Sequence, residues 1–318
     1  MWYNEKRGEK FMIKKVNSKM KLSKILQETH AGDVLVLEDG IYQEKIEVWV
    51  PQITIRAEHP HKAILTNKDY AHKIMEDNNE CNTFRTYTLY IGSNEVCLKD
   101  LVIQNEAIPS SVYGQAVALH VDGDEFICDN CIIRSAQDTL FTGPMPADLL
   151  QRYQGFYPPQ KLIGNPSKQY YKQCLIQGDV DFIFGCATAL FEECTIETIK
   201  RNNPNASYVC APSHPIELPF GYLFHKCKFI GSEPAYLARP WRDYGCAAFI
   251  ECDMDDHILP EGYNKWNQTN RDKTARFFEY TPSKDLSHRV TWAKILDSTK
   301  ATKYYAEFID FLSFIKKK

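Results

Sequence analysis

The 318-residue chain lacks any apolar run long enough to span a membrane. Its opening, MWYNEKRGEKFMIKKVNSKMKLSK, is charged throughout and lacks the apolar stretch and small-residue cleavage site of a secretory leader. Charge imbalance is missing too: 38 Lys and Arg against 41 Asp and Glu leave a net charge of -3. That excludes the broad basic face of a nucleic-acid binder and the acidic run of a disordered tail. No G-x-S-x-G occurs, which argues against a conventional serine hydrolase. Nor is there a phosphate-cradling glycine loop, a nucleotide fingerprint or a His-rich cluster, so no cofactor or metal is called for, and no obligate protein partner is evident. Helical periodicity is confined to residues 20–29 and the C-terminal KYYAEFIDFLSFIKKK, both of which read as end caps.

What remains is β-rich and 44% hydrophobic, enough to bury a large single core. Short apolar segments follow one another: VLVLEDGIY, ITIRAE, TLYIG, VCLKDLVIQ, AVALHV, FICDNCIIR, QYYKQCLIQ, ALFEECTIE, YLFHKCKFI and AAFIECDM. Six share a local pattern, in which an apolar residue is followed three positions later by Cys or Leu. The key position falls at Leu101, Cys131, Cys174, Cys194, Cys227 and Cys252, at intervals of 30, 43, 20, 33 and 25 residues. The shortest interval is about one solenoid turn, and the longer ones carry insertions. The pattern predicts an all-β, right-handed parallel β-helix, one domain over residues 1–318, with a solenoid core over about 20–300 and a helical tail over 300–318.

In such a coil equivalent residues stack at the inter-strand spacing of about 4.8 Å, so the cysteines form an inward ladder. Cys128-x-x-Cys131 is not read as a zinc site, because it lacks a second ligand pair and lies within a strand pattern. Eleven cysteines, an odd number in a chain too long to need disulfides, predict free thiols in a reducing compartment. With the missing leader, this gives a cytoplasmic expectation, or a secreted one if the N-terminus has been trimmed.

Seven residues after Cys131 stands Asp138, in QDTLF, and seven after Cys174 stands Asp181, in DFIFG. An equal offset in adjacent turns places both carboxylates on one face unless a bulge shifts the register. Paired carboxylates cannot easily both ionise, so one holds a proton near neutral pH, which supplies an acid and a nucleophile. Taken singly, each aspartate would be a turn residue. Their common offset and apolar flanks, Leu140 and Phe141 beside one and Phe182, Ile183 and Phe184 beside the other, favour catalysis.

Five blocks then occur in the order and approximate spacing of the pectin methylesterases, a family the chain resembles from about residue 20 onward: Gly40-Ile41-Tyr42-Gln43-Glu44, Gln115-Ala116-Val117-Ala118-Leu119, Gln137-Asp138-Thr139-Leu140, Asp181-Phe182-Ile183-Phe184-Gly185 and Leu237-Ala238-Arg239-Pro240-Trp241. HILPEGYNKWN at 257–267 and TARFFEY at 274–280 extend the likeness. The resemblance implies hydrolysis of C6 methyl esters of homogalacturonan or oligogalacturonides. It makes Asp181 the nucleophile, Asp138 the general acid and base, Gln115 and Gln137 the oxyanion donors, and Arg239 the partner of Asp181. Trp241, Thr83, Phe141 and Phe184 become substrate contacts. The longest interval holds TGPMPADLLQRYQGFYPPQKLIGNP, whose Tyr153, Phe156 and Tyr157 read as a cleft wall. Two departures from the family pattern stand out. Ala238 replaces a glycine, which would strain the backbone at positive φ, and His120 replaces an arginine. The competing readings are an esterase or thioesterase with another acyl substrate on the same scaffold, and a catalytically silent pectin-binding solenoid.

Overall fold

The computed structural model describes residues 2–6, 9–153, 167–201 and 203–317. Each of the ten β-rich segments read from the sequence contains strand, and among the described residues the strands fall into three sheets of twelve, eight and seven. The chain visits the sheets in rotation. Phe126–Asp129 lies in the twelve-stranded sheet, Ile132–Arg134 in the eight-stranded one and Leu140–Thr142 in the seven-stranded one. The next coil repeats the path with Lys168–Lys172, Leu175–Gly178 and Val180–Gly185. All pairings between coils are parallel, so the molecule is a right-handed parallel β-helix. The exception in direction is the N-terminal hairpin of Trp2–Lys6 with Glu9–Val16, which extends the twelve-stranded sheet beyond the solenoid start expected near residue 20.

The sequence repeat is the corner between the twelve- and eight-stranded sheets. The residue before each ladder position, Asp100, Asn130, Gln173, Glu193, Lys226 and Glu251, adopts positive φ between 50° and 60°. That left-handed step turns the chain and aims the next side chain inward. Cys131, Cys174, Cys194, Cys227 and Cys252 are each at most 2% exposed. The thiols of Cys194, Cys227 and Cys252 reach the carbonyls of Tyr171, Phe191 and Phe224 at 3.4, 3.2 and 3.3 Å. The apolar residue three positions earlier forms a second column. Tyr171, Phe191, Phe224 and Phe249 stack with centroids 4.8, 4.6 and 4.9 Å apart and planes within 11°.

Both helices expected at the ends are present. Leu22–Gln27 buries Leu22 and Leu26 against the first coil. Ser298–Phe311, capped by the Asp297 side chain accepting from the Lys300 amide, reaches back along the outer face of the twelve-stranded sheet. There it buries Ala301 and Phe308 against Tyr170, Leu190, Leu223 and Ala248, which occupy one register position on four successive coils.

Candidate active site

The two aspartates do occupy one register position. Leu140 pairs with Ile183 and Phe141 with Phe184, so two residues earlier Asp138 stands beside Asp181, and the Asp138 amide donates to the Val180 carbonyl at 3.0 Å. A register shift lies between Val180 and Ile183, but it affects pairing with the following coil and leaves the aspartates aligned. Both aspartates have positive φ, 63° and 49°. A left-handed residue at the mouth of a strand lifts its side chain out of the sheet plane, and Asp tolerates that backbone better than most residues. Strand Val180–Gly185 closes on Gly185 at φ +128°, where a Cβ would lie 2.0 Å from the Thr142 carbonyl oxygen, so the final glycine of DFIFG is a steric requirement.

Around the pair lies a cleft of about 420 Å³ lined by Thr83, Gln115, Gln137, Asp138, Asp181, Phe184, Arg239 and Trp241 among others. Gln115 and Gln137 bridge neighbouring coils in parallel, with the Ala116 amide donating to the Gln137 carbonyl at 3.0 Å, so their side chains emerge one above the other. Arg239 meets Asp181 as a fork, Nε to Oδ1 at 2.7 Å and Nη2 to Oδ2 at 2.6 Å. Its guanidinium lies 3.8 Å from the Tyr208 ring centroid and 4.1 Å from that of Trp266. Two aromatic faces and a bidentate partner leave it one geometry.

The electrostatics separate the two carboxyls. Burial, reinforced by the Asp181 charge, pushes Asp138 well above the ordinary aspartate range, with Arg239 opposing. Asp181 is also raised by burial, but hydrogen bonding and charge attraction from Arg239 pull it back down. Of the two, Asp138 is therefore the one more strongly biased toward holding a proton, and Asp181 the one whose charged form its arginine favours.

The chain belongs to the pectinesterase family: that family's profile matches residues 9–145 and 158–312. It is 30% identical to Pectinesterase 31 of Arabidopsis thaliana over 292 residues, covering 87% of this chain and 83% of the relative. A Prunus persica relative, Pectinesterase/pectinesterase inhibitor PPE8B, is 31% identical over 72% of this chain, which spans only 42% of that longer protein. The solved structure of the pectin methylesterase from carrot superposes with a TM-score of 0.74 at 21% identity, covering 94% of this chain and 92% of that one, and so shares the fold.

Most of the pectinesterase site residues expected from the sequence converge, with one correction. Phe141 is fully buried. It packs between His120, 4.5 Å away, and Phe84 and Phe184, at 5.1 and 4.9 Å, so it backs the cleft wall and does not face the cleft. Tyr153 lines the cleft and packs on Phe84 at 5.4 Å, whereas Phe156 and Tyr157 lie outside the described residues. Ala238 lies in strand Ala235–Ala238 and is not among the positive-φ residues, so alanine is accommodated there without backbone strain and Arg239 still reaches Asp181. His120 is buried, with Nε2 3.0 Å from Asp122 Oδ1.

Sequence reasoning missed Phe84, Leu149, Arg152, Arg242 and Trp266 in the cleft lining. Trp266 lay within the quoted NKWN block and could have been marked by that resemblance. The others sit in loops and a short helix where no periodicity announces them.

Proposed function

We infer that this pectinesterase hydrolyses the C6 methyl esters of methylated galacturonan through a covalent intermediate on Asp181. The observation that carries this reading is the aligned Asp138–Asp181 pair, in which only Asp181 is ion-paired, beside the two stacked glutamines. A carboxylate Oδ of Asp181 attacks the ester carbonyl carbon, and the resulting oxyanion accepts hydrogen bonds from the Gln115 and Gln137 amide groups. As the tetrahedral species collapses, the C–OCH3 bond breaks and the departing methoxide takes the Asp138 proton, leaving as methanol. Asp138, now ionised, takes a proton from water, whose oxygen attacks the acyl anhydride. The bond between the galacturonate acyl carbon and the Asp181 oxygen breaks, Asp181 leaves as a carboxylate with Asp138 again protonated, and the galacturonic acid product gives up its proton to solvent. Trp241, packed edge-on against Phe184 at 5.7 Å, offers ring surface to a sugar in the cleft that both line with Thr83.

Methanol release from methyl-esterified oligogalacturonides, measured in the presence of a chelator, tests the reading. The native protein should release methanol, and Asp181→Asn, which suits the left-handed backbone equally well, should lose at least about a thousandfold in kcat. Undiminished turnover by the asparagine variant would remove Asp181 from the chemistry.

A further inference from the structure

Gln115 enters its coil from a loop. The peptide that follows it is held on both sides, its carbonyl accepting from the Ala71 amide and its amide donating to the Gln137 carbonyl, each at 3.0 Å. The residues before it form a short helix, Ser110–Tyr113, and then Gly114 at φ +71°. The Gly114 amide donates to the Ser110 carbonyl at 2.8 Å, so a closed turn joins Ser110 to the residue preceding Gln115. Little of that turn is buried. Val112 is 69% exposed, Tyr113 rests on Tyr70 with both rings partly exposed, and Ser110, at 7%, is the one buried residue of the helix.

What Ser110 meets is a carboxyl. Its Oγ donates to Oδ2 of Asp179, 69 residues away in sequence. Asp179 is 1% exposed, and its backbone is held to both neighbouring coils, the amide donating to the Ala136 carbonyl at 3.0 Å and the carbonyl accepting from the Tyr208 amide at 3.2 Å. Ala136 precedes Gln137, and Asp179 itself stands two residues before Asp181. Burial pushes the Asp179 carboxyl above the ordinary aspartate range, with the Ser110 hydroxyl opposing. A buried carboxyl costs stability unless it is hydrogen-bonded, and Ser110 is the one side chain that bonds it among the described residues.

Resting on the esterase reading above, we propose that Asp179 is a positioning residue for the oxyanion donor: through Ser110 it fixes the turn that aims the Gln115 amide. The bond ties the segment carrying that donor to the corner from which the strand of the nucleophile begins, and so sets the one relative to the other. A reacting group misplaced by about 1 Å forfeits roughly a hundredfold in rate. The loss falls on the tetrahedral species, because the ground-state ester does not yet carry the oxyanion.

The test measures kcat and KM for methanol release from a methylated oligogalacturonide by the native protein, Ser110→Ala, Asp179→Ala and Asp179→Asn, each checked for a cooperative urea transition. Ser110→Ala and Asp179→Ala should lower kcat by about ten- to a hundredfold with KM within about twofold of native. Asp179→Asn keeps an oxygen that accepts from Ser110 and should recover to within about threefold of the native kcat. An effect exerted through Gln115 must vanish where Gln115 is gone, so Ser110→Ala added to Gln115→Ala should cost less than about twofold more. Where Asp179→Ala does not fold, Ser110→Ala and this cycle decide alone. Full kcat in Ser110→Ala, an Asp179→Asn variant as slow as Asp179→Ala, or an undiminished loss from Ser110→Ala in the Gln115→Ala background overturns the proposal and leaves the esterase reading standing. Absence of methanol with the native protein overturns the two together.

Discussion

At the residue scale the decisive contrast is between Asp138 and Asp181, identical in type, register and backbone sign, yet opposite in role. Arg239 makes the difference, because it forks onto Asp181 and meets Asp138 only through space. The raised Asp138 carboxyl has a stability consequence. A group whose folded pKa exceeds its unfolded value stabilises the fold at pH below the unfolded value, about 4 for aspartate, and loses that contribution as pH rises through the folded value. In Asp138→Asn the side chain cannot ionise. Urea midpoints of the variant and native protein should nearly coincide at pH 4 and diverge toward pH 8 in favour of the variant, by about 1 kcal/mol. Methanol release by the same variant should fall by about a hundred- to ten-thousandfold. A stability difference that does not change with pH would show that Asp138 carries no raised pKa. Phe141 illustrates how far residue type alone reaches. Its place in QDTLF was legible, but whether its ring met the cleft depended on Phe84, a residue from a distant segment that packs over it.

At the scale of elements, the six-fold repeat encoded more than strand positions. One spacing specifies a left-handed corner residue, an inward Cys or Leu and, three residues before it, an inward apolar side chain that is aromatic in the last four repeats. The two ladders contribute unequally. A phenyl ring in continuous stacks on both sides removes far more apolar surface from water than a thiol does. Phe224→Ala should therefore cost about 3–5 kcal/mol in chemical denaturation, against about 1 kcal/mol for Cys227→Ala. Equal losses would mean that the thiol-to-carbonyl contacts, and not the ring stack, hold adjacent coils together. Helix Ala147–Arg152 shows the opposite situation. It is six residues long, its place depends on Leu149 and on the ion pair with Arg242, and the sequence around it reads only as a Pro-rich insertion.

At the scale of the whole molecule, the eleven thiols take their chemistry from the fold. Ten are buried and Cys97 alone is partly exposed. Burial pushes Cys186 up to about 12 and Cys81 to about 11, so neither supplies appreciable thiolate at neutral pH. A disulfide reagent should label Cys97 at most in the native protein and all eleven thiols in guanidinium chloride. Rapid native labelling of several would show that the coils open readily. Such sheltered thiols remain reduced through their surroundings inside the fold, so the compartment need not be reducing to explain them.

The sequence by itself determined the coil: a corner recurring at a fixed distance from inward residues leaves a parallel β-helix as the arrangement that buries every repeat. It also determined that Asp138 and Asp181 share a face, because equal offsets from equivalent ladder residues are equal positions on stacked turns. Tertiary structure decided which carboxyl receives the arginine and what closes the cleft. Arg239 lies 58 residues from Asp181 and Arg242 lies 94 from Asp148. No local period relates such pairs. Asp181 and Arg239 meet because they stand at strands of one sheet two coils apart, and Asp148 and Arg242 because the inserted helix folds back and packs on aromatic side chains contributed by several turns.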